Sequence, residues 1–237
     1  MKKRNCIAII PARFGSKRIK RKNIKNFFGR PIISYAIQNA INSKLFDDVI
    51  VSTDDIKIKK IAIKFGASVP FLRPKKISGD FTGIVEVVSH ALKTRFQNYR
   101  NIFGVCCIFP TTPLLRRIDL IRSFDIFKKG KWDYVFCAKK YEHPIQRSFT
   151  LNRNKGLKLL SSNLNKISKT QDFPVSYHDV GQFYWAKPET WIKKKFFFSH
   201  RSTVYLLPES RIQDIDTLQD WKRVEEIYVQ QNTLKKK

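Results

Sequence analysis

The sequence predicts an α/β fold: a mostly parallel β-sheet covered by helices, arranged in three layers. Short apolar runs that read as buried strands alternate with amphipathic stretches at helical spacing. With 237 residues, 42% hydrophobic and 13% aromatic, the chain can also bury a substantial core. Its length suits a single domain over residues 1–237, carrying at most a subdomain.

Cys6–Ala12 reads as the first buried strand. Pro31–Ser43 reads as a helix, because Ile33, Ala36, Ile37, Ala40 and Ile41 share one face. Val49–Thr53 is the second strand. Asp54 or Asp55 caps the next helix, which runs to Phe65 and stops at Gly66. Thr82–Phe96 is amphipathic, Ile102–Phe109 is a strongly apolar strand, Ile118–Lys128 a helix and Tyr134–Ala138 a strand. Near Tyr141 the rhythm breaks. Residues 151–172 are polar and weakly periodic, which fits a long loop, an inserted arm or an oligomerisation element. Strand character returns at Gln182–Trp185 and at residues 203–207. A last helix runs from about Leu218 to Gln231 behind a cap at Asp216 or Thr217.

The chain carries 47 Lys and Arg against 19 Asp and Glu, a net charge of +28. That favours anionic partners. The lysines are spread over the whole sequence, so charge alone does not separate nucleotides or acidic sugars from nucleic acid. A nucleic-acid module predicts aromatics interleaved with a basic face; here they fall mostly in core-like runs. Cys6, Cys106, Cys107 and Cys137 sit in apolar runs with no CxxC pair, as buried free thiols do in a reducing compartment. No apolar run approaches the roughly 18 residues of a membrane span, and the short apolar stretch near the N-terminus is followed by basic residues. A cytoplasmic location is expected, with no membrane partner.

Two segments carry chemistry. The first is the loop after strand one. In parallel α/β sheets ligands bind at strand carboxyl ends. There Gly15 permits close backbone approach, Ser16 offers a hydroxyl and an N–H, and Arg13, Lys17 and Lys22 supply fixed charge suited to a triphosphate. The loop is neither GxxxxGK[ST] nor GxGxxG; a solvated basic loop is the plainer alternative. The second is RIQDIDTLQDW, residues 211–221. Asp214 and Asp216 at i and i+2 in an extended segment share one face and can hold a Mg²⁺ whose shell a substrate phosphate completes. Asp216 as a helix cap is the alternative. No Ser-His-Asp or Cys-His arrangement is evident.

PARFGSKR followed by KNIK resembles the cytidylyltransferases that activate nonulosonic acids as CMP-sugars, the family of the CMP-N-acylneuraminate and KDO enzymes. DIDT followed by an acidic residue and Trp, FLRPKKISGDFTG (71–83) and IFPTTPLLR (108–116) match the family in the same order. The resemblance covers about residues 5–230. It implies a Rossmann-like nucleotide-diphospho-sugar transferase fold, CTP as substrate and Mg²⁺ as cofactor. It places Ala12 against the base, and Arg13, Gly15, Ser16, Lys17, Lys22 and Asn23 around the phosphates. Arg73, Thr82, Pro110 and Thr111 approach the nucleotide, with Thr82 starting a helix. Arg13, Lys22, Asp214 and Asp216 are the implied catalytic set, with Asp214 and Asp216 on the metal.

KRIKRKNIK, HPIQRS, KTQD and HDVGQFYW look most like the pseudaminic acid members of the family; legionaminic, sialic acid and KDO enzymes are the alternatives. For a nine-carbon acidic sugar the implied partners are Gln146 and Arg147, with Gln182, Tyr184, Phe197 and Phe198 shaping the pocket; core packing is the plainer role of the two phenylalanines. Phe14, Lys20 and Lys169 depart from the family's usual Gly, Pro and Arg. Family members are commonly homodimers whose arms complete the neighbour's sugar site, and residues 140–178 are the candidate arm.

Overall fold

The computed structural model describes residues 5–160 and 169–233. Six strands form one sheet: β1 (Cys6–Pro11), β4 (Asp48–Ser52), β5 (Gly104–Ile108), β6 (Tyr134–Lys140), β9 (Tyr177–Ala186) and β10 (Ser202–Leu206). Their spatial order is β10-β6-β9-β5-β1-β4. β1 is parallel to both β4 and β5, and β10 to β6; β9 alone is antiparallel, to β5 and β6. Two short antiparallel pairs stand apart, β2 (Asn26–Phe27) with β3 (Arg30–Pro31) and β7 (Phe149–Leu151) with β8 (Leu157–Leu159).

Period-two alternation on β1 divides the core. Cys6, Ala8 and Ile10 join one apolar cluster, with residues of α1 (Ile33–Ser43), α2 (Ile56–Lys64) and α4 (Arg117–Lys129). Ile7 and Ile9 join the other, with α3 (Ile84–Arg95) and α5 (Pro188–Ile192). The sheet is thus covered on both faces, which is why its strands read as continuous apolar runs. A third cluster seats α6 (Leu218–Thr233). Phe27 is its hub, with the rings of Tyr35, Tyr228 and Trp221 edge-on at 5.4, 5.2 and 5.6 Å. This packing brings the C-terminal acidic segment beside the first loop.

Local chemistry decides the alternatives left by the sequence. Asp55 caps α2, its Oδ1 accepting the Ile58 N–H at 2.8 Å, and Gly66 follows at φ +92°. Thr217 caps α6: its Oγ1 accepts the Asp220 N–H (3.1 Å) while the Asp220 carboxylate accepts the Thr217 N–H (2.7 Å), a reciprocal capping box. Thr82 does not start α3. Gly83 takes the N-cap and the helix begins at Ile84, leaving Thr82 in the preceding loop. Within 151–172 the chain completes a hairpin with exposed Phe149, Leu151, Leu157 and Leu159 on one face. Residues 161–168, part of the candidate arm, lie outside the described residues.

Candidate active site

The strand order fixes where a ligand belongs. From β1 the chain goes to β4 on one side, then crosses to β5 on the other. The crevice beyond the carboxyl ends of β1 and β5 is therefore a topological switch point. A cleft of about 520 Å³ opens there. Its lining includes Pro11 at the end of β1, Arg13, Ser16, Lys17, Lys22 and Asn23 from the first loop, and Arg73, Asp80 and Thr82 from the segment before α3. Phe109, Pro110 and Thr111 after β5, with Asp216 from the acidic segment, complete it.

The first loop is stapled from both sides. Asn23 is buried and donates from Nδ2 to the Arg13 carbonyl at 2.8 Å. Asp54, free of capping duty, accepts the Phe14 N–H at 2.9 Å. The Ser16 N–H donates to the Phe14 carbonyl at 2.8 Å, so only the hydroxyl of Ser16 remains for a ligand, a correction to the expectation of both. Ala12 is fully buried: its N–H donates to Ser52 O at 2.9 Å and its methyl lies in the core. Neither Ala12 nor Gly15 lines the cleft.

Arg73 is the most telling cation. Its backbone is held to Thr53 O at 2.7 Å, its side chain is 5% exposed, and its Nε and Nη2 have no hydrogen-bond partner. Burial pushes its pKa down, partly offset by Asp54. A buried guanidinium left this way is expensive unless an anion completes it. Arg13 and Lys17 are instead answered by one carboxylate: Asp80 meets Arg13 Nη1 and Lys17 Nζ at 2.5 Å each. Those two cations, Lys17 first, hold the Asp80 carboxyl below its usual range.

The acidic segment closes the other end. Lys22 Nζ donates to Ile215 O at 2.6 Å and stands 3.5 Å from Asp216 Oδ1, which also meets Arg18 Nη2 at 2.8 Å. Ile215 is fully buried and sets Asp214 on the exposed rim, outside the cleft lining. Partial desolvation, then the neighbouring Asp216 carboxylate, raises the Asp214 pKa. That like-charge crowding of two hard oxygen donors fits a divalent cation, and no other acidic ligand of such a site was found among the described residues, so phosphate oxygens would have to complete the shell. Behind the segment, Arg211 binds the fully buried Asp119 through two nitrogens, at 2.5 and 2.9 Å.

The expected sugar residues lie elsewhere. β9 is sandwiched between β5 and β6, so Gln182 and Tyr184 are buried. Gln182 donates to Arg211 O at 3.3 Å, and the Tyr184 hydroxyl donates to Asp179. Tyr184 packs behind Phe109, at 5.8 Å between ring centroids, and so backs the cleft wall. Phe197 packs on Tyr134 and Tyr184, Phe198 is exposed, and Gln146 and Arg147 lie on a short turn with Arg147 over Phe173. None of the six lines the cleft. Sequence reasoning missed Asp80, Asp54, Arg18 and Phe109. Asp80 offered one signal, as an acid flanked by glycine in a lysine-rich stretch.

The chain is 41% identical over 223 residues, 94% of its length and 95% of the relative's, to a pseudaminic acid cytidylyltransferase of Campylobacter jejuni subsp. jejuni serotype O:2. It is 30% identical over 93% of its length, and 95% of the relative's, to a CMP-N,N'-diacetyllegionaminic acid synthase of Legionella pneumophila. A solved CMP:2-keto-3-deoxy-manno-octonic acid synthetase in complex with CTP superposes with a TM-score of 0.68, covering 96% of this chain and 99% of that one, at 14% identity; that likeness shows the fold. The cytidylyltransferase family model matches residues 7–235, from the first buried strand past the acidic segment. With the cleft at the switch point and that span together, the chain belongs to the cytidylyltransferase family.

Proposed function

We propose that the protein transfers CMP from CTP to the anomeric hydroxyl of pseudaminic acid, giving CMP-pseudaminic acid and pyrophosphate. The observation that carries the chemistry is the buried Arg73 guanidinium, whose Nε and Nη2 have no hydrogen-bond partner, in a cleft lined by Arg13, Lys17 and Lys22. The sugar assignment rests on the 41% identity to a pseudaminic acid enzyme along nearly the whole chain.

In this reading the triphosphate lies along the first loop. Arg73 and Lys22 hold phosphate oxygens by charge-assisted bonds, and Arg13 and Lys17 do so once released from Asp80. Asp54 and Asn23 keep the loop in shape. The base and ribose lie toward Pro110 and Thr111. The anomeric oxygen bonds to the α-phosphorus, the bond from that phosphorus to the bridging oxygen breaks, and pyrophosphate leaves with the electron pair. The hydroxyl proton passes to solvent. Asp214 and Asp216 would hold Mg²⁺; bound there, it neutralises phosphate charge and acidifies the attacking hydroxyl.

The exposed apolar face of the β7–β8 hairpin supports a homodimer in which residues 140–178 reach the neighbour, where Gln146 and Arg147 meet the sugar carboxylate. Light scattering tests this: a strict monomer contradicts it. No helix among the described residues is long and apolar enough to cross a membrane; the proposed location is the cytoplasm, and nucleic acid is no partner in this reading. The decisive assay offers CTP, UTP, ATP or GTP with Mg²⁺ and pseudaminic acid and measures pyrophosphate. Release with CTP alone supports the proposal. Folded protein that releases none with CTP overturns it.

A further inference from the structure

A second cavity, about 410 Å³, lies further along the loop that ends the cleft. Pro110 and Thr111 line the cleft; Pro113 to Arg117 line the second cavity. Its other walls are Arg30, α1 and the end of α6. The volume is that of a small-molecule site, where about 300–1,000 Å³ is usual.

Its polarity is one-sided. Arg30, Arg116 and Arg117 line it, and no acidic residue does. Among the described residues none of the three guanidinium groups is paired with a carboxylate, although the backbone N–H of Arg116 donates to Asp119 at 2.9 Å, whereas in the cleft Asp80 and Asp216 answer Arg13, Lys17, Arg18 and Lys22. Two of the arginines are also held in place. The Arg30 guanidinium lies 3.8 Å over the Tyr35 ring, and Arg116 Nη2 donates to Gln231 Oε1 at 2.8 Å. The N-terminus of the 13-residue helix α4 opens on the same space and adds its partial positive charge.

The amides supply the complement. Asn39 and Asn232 turn their NH₂ groups to backbone carbonyls, of Leu115 at 2.6 Å and Tyr228 at 3.0 Å. Their carboxamide oxygens remain as acceptors, which suit ligand hydroxyls. Pinned cations plus hydroxyl acceptors describe a hydroxylated anion of one-ring size. We propose that this cavity is a second ligand site, separate from the catalytic cleft, for a small acidic sugar bearing a phosphate or a carboxylate. Along the chain, three walls of the cavity adjoin segments that line the cleft. Arg30 follows the first loop, residues 113–116 follow Thr111, and α6 follows Asp216.

The test uses the full chain with glucose 6-phosphate and glucuronate as probes and glucose as the neutral control. Calorimetry measures affinity, and hydrogen–deuterium exchange locates the contact. Saturable binding of at least one acid is expected, with protection at residues 113–118 and 228–232. The Arg30→Gln/Arg117→Gln double variant should lose about tenfold or more of that affinity, since each site loses charge-assisted bonds, while binding CTP as the wild type does. Arg117→Gln alone, at an exposed helix start, gives a second reading should the double variant fold poorly. Binding that the variants leave unchanged, protection confined to residues 13–23 and 73–84, equal affinity for glucose, or binding of neither acid overturns the proposal. Pyrophosphate release by the wild type is read separately, so this failure and that of the proposed function are distinguishable.

Discussion

Lys22 Nζ donates to the carbonyl of Ile215 at 2.6 Å, joining residues 193 positions apart. One ammonium thereby ties the loop after the first strand to the acidic segment before the last helix. It also stands 3.5 Å from Asp216, so the same group that shapes the cleft is placed to meet a phosphate.

Replacing Lys22 by Ala should lower kcat/KM by about 10²–10³, the usual cost of removing one group aimed at developing charge. The fold should persist, because Lys22 is only half-buried and the α6 cluster around Phe27 does not use it. Steady-state pyrophosphate release together with circular dichroism checks this; wild-type turnover sinks the assignment.

Chelation should halt turnover and added Mg²⁺ restore it. Asp214→Ala and Asp216→Ala should each raise the Mg²⁺ concentration needed for half-maximal rate by about tenfold or more, since each removes one of two charged oxygen ligands. A titration of rate against Mg²⁺ that both variants leave unchanged contradicts the metal role.

Asp80 occupies two of the cations placed for the triphosphate, Arg13 and Lys17. Asp80→Ala should therefore lower the Kd for CTP and steepen its salt dependence. Lys17 and Arg13 hold the Asp80 carboxyl below its ordinary range, so its contact is present above that range and is lost only as pH falls through the depressed value. The difference between variant and wild type should thus be flat from about pH 6 to 9. Calorimetric CTP titrations at several pH values read this directly; weaker CTP binding by the variant contradicts it.

The four thiols should be inert in the folded protein. All are buried, and burial pushes Cys106 well up and Cys137 up to about 12. A thiol-reactive chromophore near neutral pH should label none until denaturant is added. Fast labelling of any one would show that its strand opens.

Arg211→Ala should cost about 3–5 kcal/mol, because it leaves the fully buried Asp119 carboxylate without its counter-ion, held only by the Tyr205 hydroxyl and the Arg116 N–H. Urea unfolding measures the loss. The acidic segment begins just after Arg211, so a rise in the Mg²⁺ requirement should accompany it.

The fold was largely legible because parallel strands buried on both faces must be continuously apolar, as CIAIIP and GVCCI are. The direction of β9 was not, since a buried strand has the same composition whichever way it runs. Thr82 misled because Gly83 also accepts the N-cap conformation. At the site, Arg13, Lys17, Lys22, Arg73 and Asp216 converge as their motifs implied. Asp80 and Asp54 escaped because their partners lie 40 or more residues away, beyond any local pattern. Gln182 and Tyr184 were read as pocket surface, yet a strand between two others presents its side chains to the core.

The measurement that bears most directly on the account is kcat/KM with CTP and Mg²⁺ for pseudaminic, legionaminic, N-acetylneuraminic and KDO acids, with the CMP-sugar identified by mass spectrometry. The account predicts CMP-pseudaminic acid as the product formed with clearly the highest kcat/KM. A higher value for any other acid would keep the cleft chemistry and contradict the substrate; no CMP-sugar from any of them would contradict both.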